Sequence, residues 1–333
     1  MNSSRALLWR RLRRRPAALA ALGIIALLTL LALGADLVAS DKPVAARIGG
    51  TLYLVPAWTD PAALRGETNQ SLRAKAEGDP DAWLVEPLVP FGPNQTALTD
   101  ALAPPGGAHL LGTDELGRDV LARLVHGART SLGVGLTAVL LYVVIGAALG
   151  AVAGWFGGRV DSLISRATEV VLSFPTFFLV LAILGVMRVS SLWPVVVVIA
   201  LTRWTDVSRL VRAEVLKLRT AEFVQASRAL GAGHGRVLVR HLLPNALGPV
   251  LVAAAFGVAG AIVLETALSY LGFGVPPPAP SWGELLTQAH RYVTYPGAWW
   301  LTLYPGLAIF LTVAAFNLLG DALRDALDPR DLR

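Results

Sequence analysis

The residue types that perform chemistry are sparse in this chain. It has five histidines, His109, His126, His234, His241 and His290, and no cysteine. No two histidines stand three or four residues apart, the spacing that sets two metal ligands on one helical face. Without cysteine, disulfides and thiolate catalysis are excluded. The lysines are Lys42, Lys75 and Lys217, none preceded by glycine, so no G-x-x-x-x-G-K-[ST] phosphate loop exists. An intramembrane protease would need a serine with a histidine on another apolar run, or two facing aspartates, and the apolar runs supply neither. The chain is expected to catalyse no reaction and to hold no cofactor or metal itself.

One acid stands apart. Glu265 is the only acidic residue between Ala246 and Pro280, and it follows a mostly apolar run. A carboxylate in lipid is expensive and faces a partner or a water-filled path, which makes Glu265 a candidate for a translocation path. The run before it already reaches about 28 Å as a helix, so an interfacial or subunit-contact position is open as well.

The elements that must position such residues are membrane helices. Hydrophobic residues make up 54% of the 333 positions and charged ones 16%, and mean hydropathy is +0.58, a composition foreign to soluble domains. The net charge of +6 comes almost wholly from arginines beside apolar runs, which points to the anionic cytoplasmic leaflet rather than to nucleic acid. Arg10, Arg11, Arg13, Arg14 and Arg15 precede the run Ala17–Ala39, which is too long for a signal-peptide core and reads as a retained span of roughly 34 Å. The positive-inside rule then places the N-terminus in the cytoplasm.

Five more apolar runs, Ser131–Trp155, Val170–Met187, Leu192–Leu210, Ala246–Leu271 and Trp299–Leu319, complete an expected all-α membrane protein of six spans. Leu192–Leu210 is the weakest, because Arg203 and Asp206 interrupt it. It is kept because an even count returns the arginine-rich segment 203–240 to the cytoplasm. The expected division is 1–40 for the cytoplasmic N-terminus and first span, 41–108 for an extracytoplasmic insertion, and 109–333 for a five-helix core. The insertion is expected to carry short strands around Leu52–Val55 and Leu84–Val89. Leu116, Val120, Leu124 and Ala128 recur every fourth residue while Arg118, Asp119 and Arg123 face elsewhere, which predicts an amphipathic helix on the membrane surface or packed on protein. At the far end, Asn317 and Gly320 are expected to close the last span before a polar stub holding Asp321, Arg324, Asp325 and Asp328.

The most informative segment is Thr220–Asn245, TAEFVQASRALGAGHGRVLVRHLLPN. Thr220 is placed to cap a helix whose first turn holds Glu222, with Phe223, Ala226 and Leu230 on one face. Gly231 is placed to end it in a left-handed turn, and a second short helix is expected from Gly235 to His241, stopping before Pro244. Small Ala226 and Ser227 permit close approach, Phe223 and Leu230 offer apolar contact, and Arg228 can meet an acidic rim.

Gln225-Ala226-Ser227, then Gly231, then Leu243-Pro244 keep the spacing of the EAA loop of ABC importer permeases, and the segment resembles that loop. Gln225, Ser227 and His241 depart from its general pattern, so no role is carried over for the usual glutamate. Gly112–Arg123 (GTDELGRDVLAR), Gly127–Leu132 (GARTSL), Glu265–Gly274 (ETALSYLGFG), Pro280-Ser281-Trp282-Gly283 and Phe316–Arg330 (FNLLGDALRDALDPR) narrow the resemblance to the peptide and nickel permease family, specifically its C-type subunits. The insertion beginning Ser40-Asp41-Lys42-Pro43 resembles that of the subgroup handling oligopeptides and microcin C.

The resemblance implies half of a translocation path in the bacterial inner membrane, a second permease subunit, two separate ATPase subunits that hold ATP and magnesium, and an extracytoplasmic substrate-binding protein. It assigns ATPase coupling to the loop residues Glu222, Phe223, Gln225, Ala226, Ser227, Arg228, Leu230 and Gly231. The competing reading is a channel or secondary transporter not powered by ATP. Such proteins often carry internal repeats, and none is evident here.

Overall fold

Apolar runs in lipid must satisfy their backbone groups internally, and here they do so as helices. The computed structural model describes residues 10–13, 15–77, 79–187, 191–292 and 297–327. Helix α1 (Pro16–Leu33) leads through a short helical turn, Ala35–Val38, into the insertion. There β1 (Ala45–Ile48), β2 (Thr51–Leu54), α2 (Asn69–Ala76) and β3 (Trp83–Val85) follow. Next come α3 (Val120–Phe156), α4 (Gly158–Leu172), α5 (Thr176–Met187), α6 (Leu192–Leu218) and α7 (Glu222–Ala229). The chain continues with α8 (His234–Tyr270), α9 (Trp282–Tyr292) and α10 (Trp300–Leu327).

Among the described residues, α1, α3, α8 and α10 are long and apolar enough to cross a membrane, and the pair α4–α5 makes a fifth if counted as one span bent by 84°. The expected count of six is therefore not reproduced. The run missing from the count, Leu192–Leu210, lies inside α6, whose 27 residues include Arg203, Asp206, Arg209, Arg212, Glu214 and Lys217. The run Val170–Met187 is not straight, because Ser173, Phe174 and Pro175 break it before Thr176, where proline cannot continue the hydrogen-bond ladder. The expected amphipathic helix 116–128 is no separate element: helix starts at Val120 and runs unbroken to Phe156. The longer helices also take in His126, His234 and His241, none of which lay within the six expected spans.

The contacts divide the chain into two compact units. The first comprises the described parts of Met1–Ile25, Val134–Glu265 and Thr312–Arg333. In it, α3 and α6 meet through Gly146, Gly150 and Gly154, where an added Cβ would lie 2.5 Å from the Trp204 carbonyl, 2.3 Å from that of Ser208 and 2.9 Å from that of Arg212. Glycines every fourth residue let two backbones approach without side chains between them. This contact, with the two-pronged ion pair of Arg212 Nε and Nη2 to Asp161 at 2.5 and 2.7 Å, secures α6 despite its charges. Segments near the two termini meet here too. Leu12 and Ala18 pack with Ala322 and Ala326, Arg11 donates to the Ala326 carbonyl at 2.8 Å, and Arg15 pairs with Asp325. Asn317 and Gly320 do not close the last span, since α10 continues to Leu327. Gly320 sits inside the helix because the Phe256 ring fills the place of its side chain, 2.9 Å from an added Cβ. Asp328 lies outside the described residues.

The second unit comprises Ala26–Gly133 and Thr266–Leu311. Its sheet is antiparallel in the order β2-β1-β3, with Ala45 opposite both Leu54 and Val85 and Arg47 opposite both Leu52 and Trp83. Both expected strands exist; β1, between them in space, was not expected, because AARI carries no alternation that marks a strand. The insertion is fastened at its base. The buried Asn69 donates its amide to the carbonyls of Ser40 at 2.8 Å and Pro90 at 3.1 Å, while Ala39, Val89 and Ala122 form a small buried cluster. Burial alone would raise the Asp36 carboxyl, yet hydrogen bonds from Arg129 and Trp58 hold it below the ordinary aspartate range.

Candidate functional site

Helix α7 is short, and one inward residue holds it: Val224 is fully buried, while Glu222, Phe223, Gln225, Ala226 and Arg228 are exposed. The N-cap is Ala221, with no side-chain bond, so Thr220 does not cap the helix. Its hydroxyl turns back to the Lys217 carbonyl at 3.4 Å. At the other end the expectation for Gly231 is met, with φ at +83°. Gly231 N–H donates to the Arg228 carbonyl at 2.9 Å and Ala232 N–H to that of Ser227 at 3.1 Å, the paired closure of a Schellman turn. Leu230, the last residue before this turn, is 89% exposed, and Phe223 is 43% exposed. Apolar side chains displayed this fully on a helix closed at its end and anchored at Val224 form a small knob.

The expected second helix, Gly235–His241, does not stop before Pro244. Helix begins at His234, widens to a π turn over Leu238–Leu242, and continues through Pro244 into the long span. The wide turn, closed by Leu243 N–H to the Leu238 carbonyl, lets the ladder pass the proline that lacks a donor. Two histidines stitch the loop. His241 lies 3.4 Å from the Ser227 hydroxyl and 6.3 Å from the Phe223 ring centroid. His234 accepts from the Trp155 indole at 3.0 Å. Arg228 stands over the Trp155 ring at 5.6 Å, an attractive cation–π placement, rather than pointing free toward a rim. Val224 and Trp155 were not singled out from the sequence. The apolar residue following Phe223 was the available signal for the first, and nothing local signals the second, which is distant along the chain.

A second group of motif residues is buried instead of displayed. Arg118 donates to Asp114 at 2.7 Å, and Arg123 donates to Glu284 at 2.6 Å and to the Pro93 carbonyl at 2.9 Å. Arg123 also lies 3.5 Å from Asp114. Asp119 caps α3, accepting from Ala122 N–H at 2.7 Å, and holds His109 at 2.8 Å. Arg118 and Asp119 thus tie the start of α3 to neighbouring loops, and they and Arg123 are buried, not turned outward. Ser281 caps α9 by accepting from Glu284 N–H at 3.1 Å. The sequence Ser281-Trp282-Gly283-Glu284 carries the capping pattern that could have revealed α9. Glu265 is fully buried within α8.

Comparison with known proteins agrees with this architecture. The family described as binding-protein-dependent transport system inner membrane component matches residues 146–331, and the N-terminal TM domain of oligopeptide transport permease C matches residues 3–54. A chain of Brucella suis biovar 1, named as a peptide permease protein, is 43% identical over 75% of this chain and 82% of its own length. The dipeptide transport system permease protein DppC of Alkalihalophilus pseudofirmus is 41% identical over 71% of this chain and 77% of its own. A solved structure of the MetNI methionine ABC transporter in inward-facing form shares the fold alone, with a TM-score of 0.50 and 20% identity over 62% of this chain and 97% of that one. With a family match over more than half its length and relatives this similar, the chain belongs to the binding-protein-dependent permease family and is a multi-pass membrane permease subunit of an ABC importer, of the C-type peptide class.

Proposed function

We propose that α7 and Gly231 form the element that seats in an ATPase subunit and transmits its closure to the spans. The observation that carries this reading is the display of Phe223 and Leu230 on a helix whose inward side is fixed by Val224. Glu222, Gln225, Ala226, Ser227 and Arg228 complete the contact surface. The chain acts as one of two permease subunits, with two ATPase subunits binding ATP and magnesium and an extracytoplasmic protein delivering peptides or similar solutes. ATP closure swings the spans between inward-open and outward-open states. In this arrangement the chain lies in the bacterial inner membrane with its termini and the 220–245 loop in the cytoplasm and the insertion 41–108 outside, where it influences handover of substrate. Glu265 on α8 is the proposed path carboxylate, since an enclosed acid in an apolar helix is retained at a cost.

The absence of native cysteine makes the test direct. In the reconstituted complex, Ala226→Cys should cross-link to an ATPase subunit, and an impermeant thiol reagent applied to intact cells should label Gln70→Cys but not Gly233→Cys. Labelling of Gly233→Cys from outside, or cross-linking of Ala226→Cys only to the second permease, would reject the assignment.

A further inference from the structure

The insertion's sheet has one covered and one bare face. Residues opposite one another in register share a face, so Ala46, Tyr53 and Leu84 point one way, and Ala46 is fully buried. Leu52, Leu54, Trp83 and Val85 point the other way around Ala45 and Arg47. All four of these apolar side chains are exposed, Leu54 by 60%. Beside this face, four residues beyond Leu54, Trp58 is 59% exposed.

We propose that this face rests on lipid, with the sheet and Trp58 lying in the interfacial layer of the bilayer. The argument is continuity with a membrane surface already present in the same unit. Trp58 donates its indole N–H to Asp36 at 3.0 Å, and Asp36 stands three residues past the end of the apolar span α1. Only 17% of that span's residues are buried, and Leu30 and Leu33 at its end are both 67% exposed. Trp58 is therefore held level with the end of a lipid-facing helix, ring outward and N–H on a polar group, which is the placement of aromatic residues in membrane interfaces. The bare sheet face extends that surface through Leu54. Arg47, exposed at its centre between Leu52 and Trp83, can lay its stem on the apolar neighbours and reach a lipid phosphate with its guanidinium.

The test uses the complete transporter carrying a single spin-labelled cysteine, in vesicles of phosphatidylethanolamine and phosphatidylglycerol. Leu54→Cys and Val85→Cys probe the face; both positions are exposed, so neither substitution opens the core. Gln70→Cys, exposed on α2, is the aqueous reference. Relaxation by oxygen over relaxation by a water-soluble nickel chelate should be several-fold higher at Leu54→Cys and Val85→Cys than at Gln70→Cys, with no binding protein added. Ratios equal to that of Gln70→Cys would overturn the proposal. So would ratios that change only when the substrate-binding protein is added, which would assign the face to protein docking instead.

Discussion

The α7 loop and the cluster around Arg123 are both dense in family motif residues, yet they use them in opposite ways. In the cluster, Asp114, Arg118, Arg123 and Glu284 are buried and pair with one another, and the buried Asp119 holds His109. In the loop, Phe223, Ala226 and Leu230 face outward while Val224 is the one residue of the helix that is buried. A motif whose side chains are spent internally serves the fold, whereas a motif that displays them is kept for something else to touch. Residue type alone does not separate the two, since arginines stand in both.

Arg123→Met should give the largest effect and fall on stability. Removing the guanidinium leaves Glu284 a buried charge without its ion-pair partner, a loss of about 3 to 5 kcal/mol. The purified complex should lose thermal stability and the chain should accumulate poorly. If Arg123→Met instead left stability unchanged and reduced transport alone, the cluster would belong with the displayed motifs.

Ala226→Trp should do the reverse. The position is exposed, so membrane insertion and thermal stability should stay within about 0.5 kcal/mol of the parent. Overpacking a tight docked contact costs about 1 to 3 kcal/mol, so transport and substrate-stimulated ATP hydrolysis should fall together. Normal coupled transport would mean that nothing closes over Ala226.

Gly231→Val is the smallest and the most mixed. A β-branched residue at φ +83° costs about 1 kcal/mol or more, enough to loosen the Schellman turn and misdirect the helix that follows. Coupling should weaken while the spans remain inserted, as read by ATPase stimulation against chain abundance in membranes. An equal fall in both would show that the turn supports the fold and not only the knob.

The displayed motif was far more legible than the buried one. Helical spacing and a glycine sufficed to outline α7 and its closing turn, because both are local decisions of the backbone. The partnership of Arg123 with Glu284 joins residues 161 positions apart, and periodicity around Arg123 looks the same whether the charge meets water or a buried acid. For the same reason Leu116–Ala128 read as a separate amphipathic helix, on the membrane surface or packed on protein, when the helix starts at Val120 and merges with a span. The boundary at Pro244 failed differently: proline usually ends a helix, but one wide turn allows the ladder to continue. The standing of α6 was hidden as well, since the glycines that secure it lie on α3.

The π turn at Leu238–Leu242 makes the 37-residue helix α8 a shaft with one residue to spare between the knob and the membrane. Deleting one residue from an ordinary stretch of helix rotates everything beyond it by about 100°. Deleting one from a π turn restores the regular spiral and leaves both ends in phase. The joint is therefore the one place in this shaft where its length can change by a residue while the knob keeps its heading relative to the span.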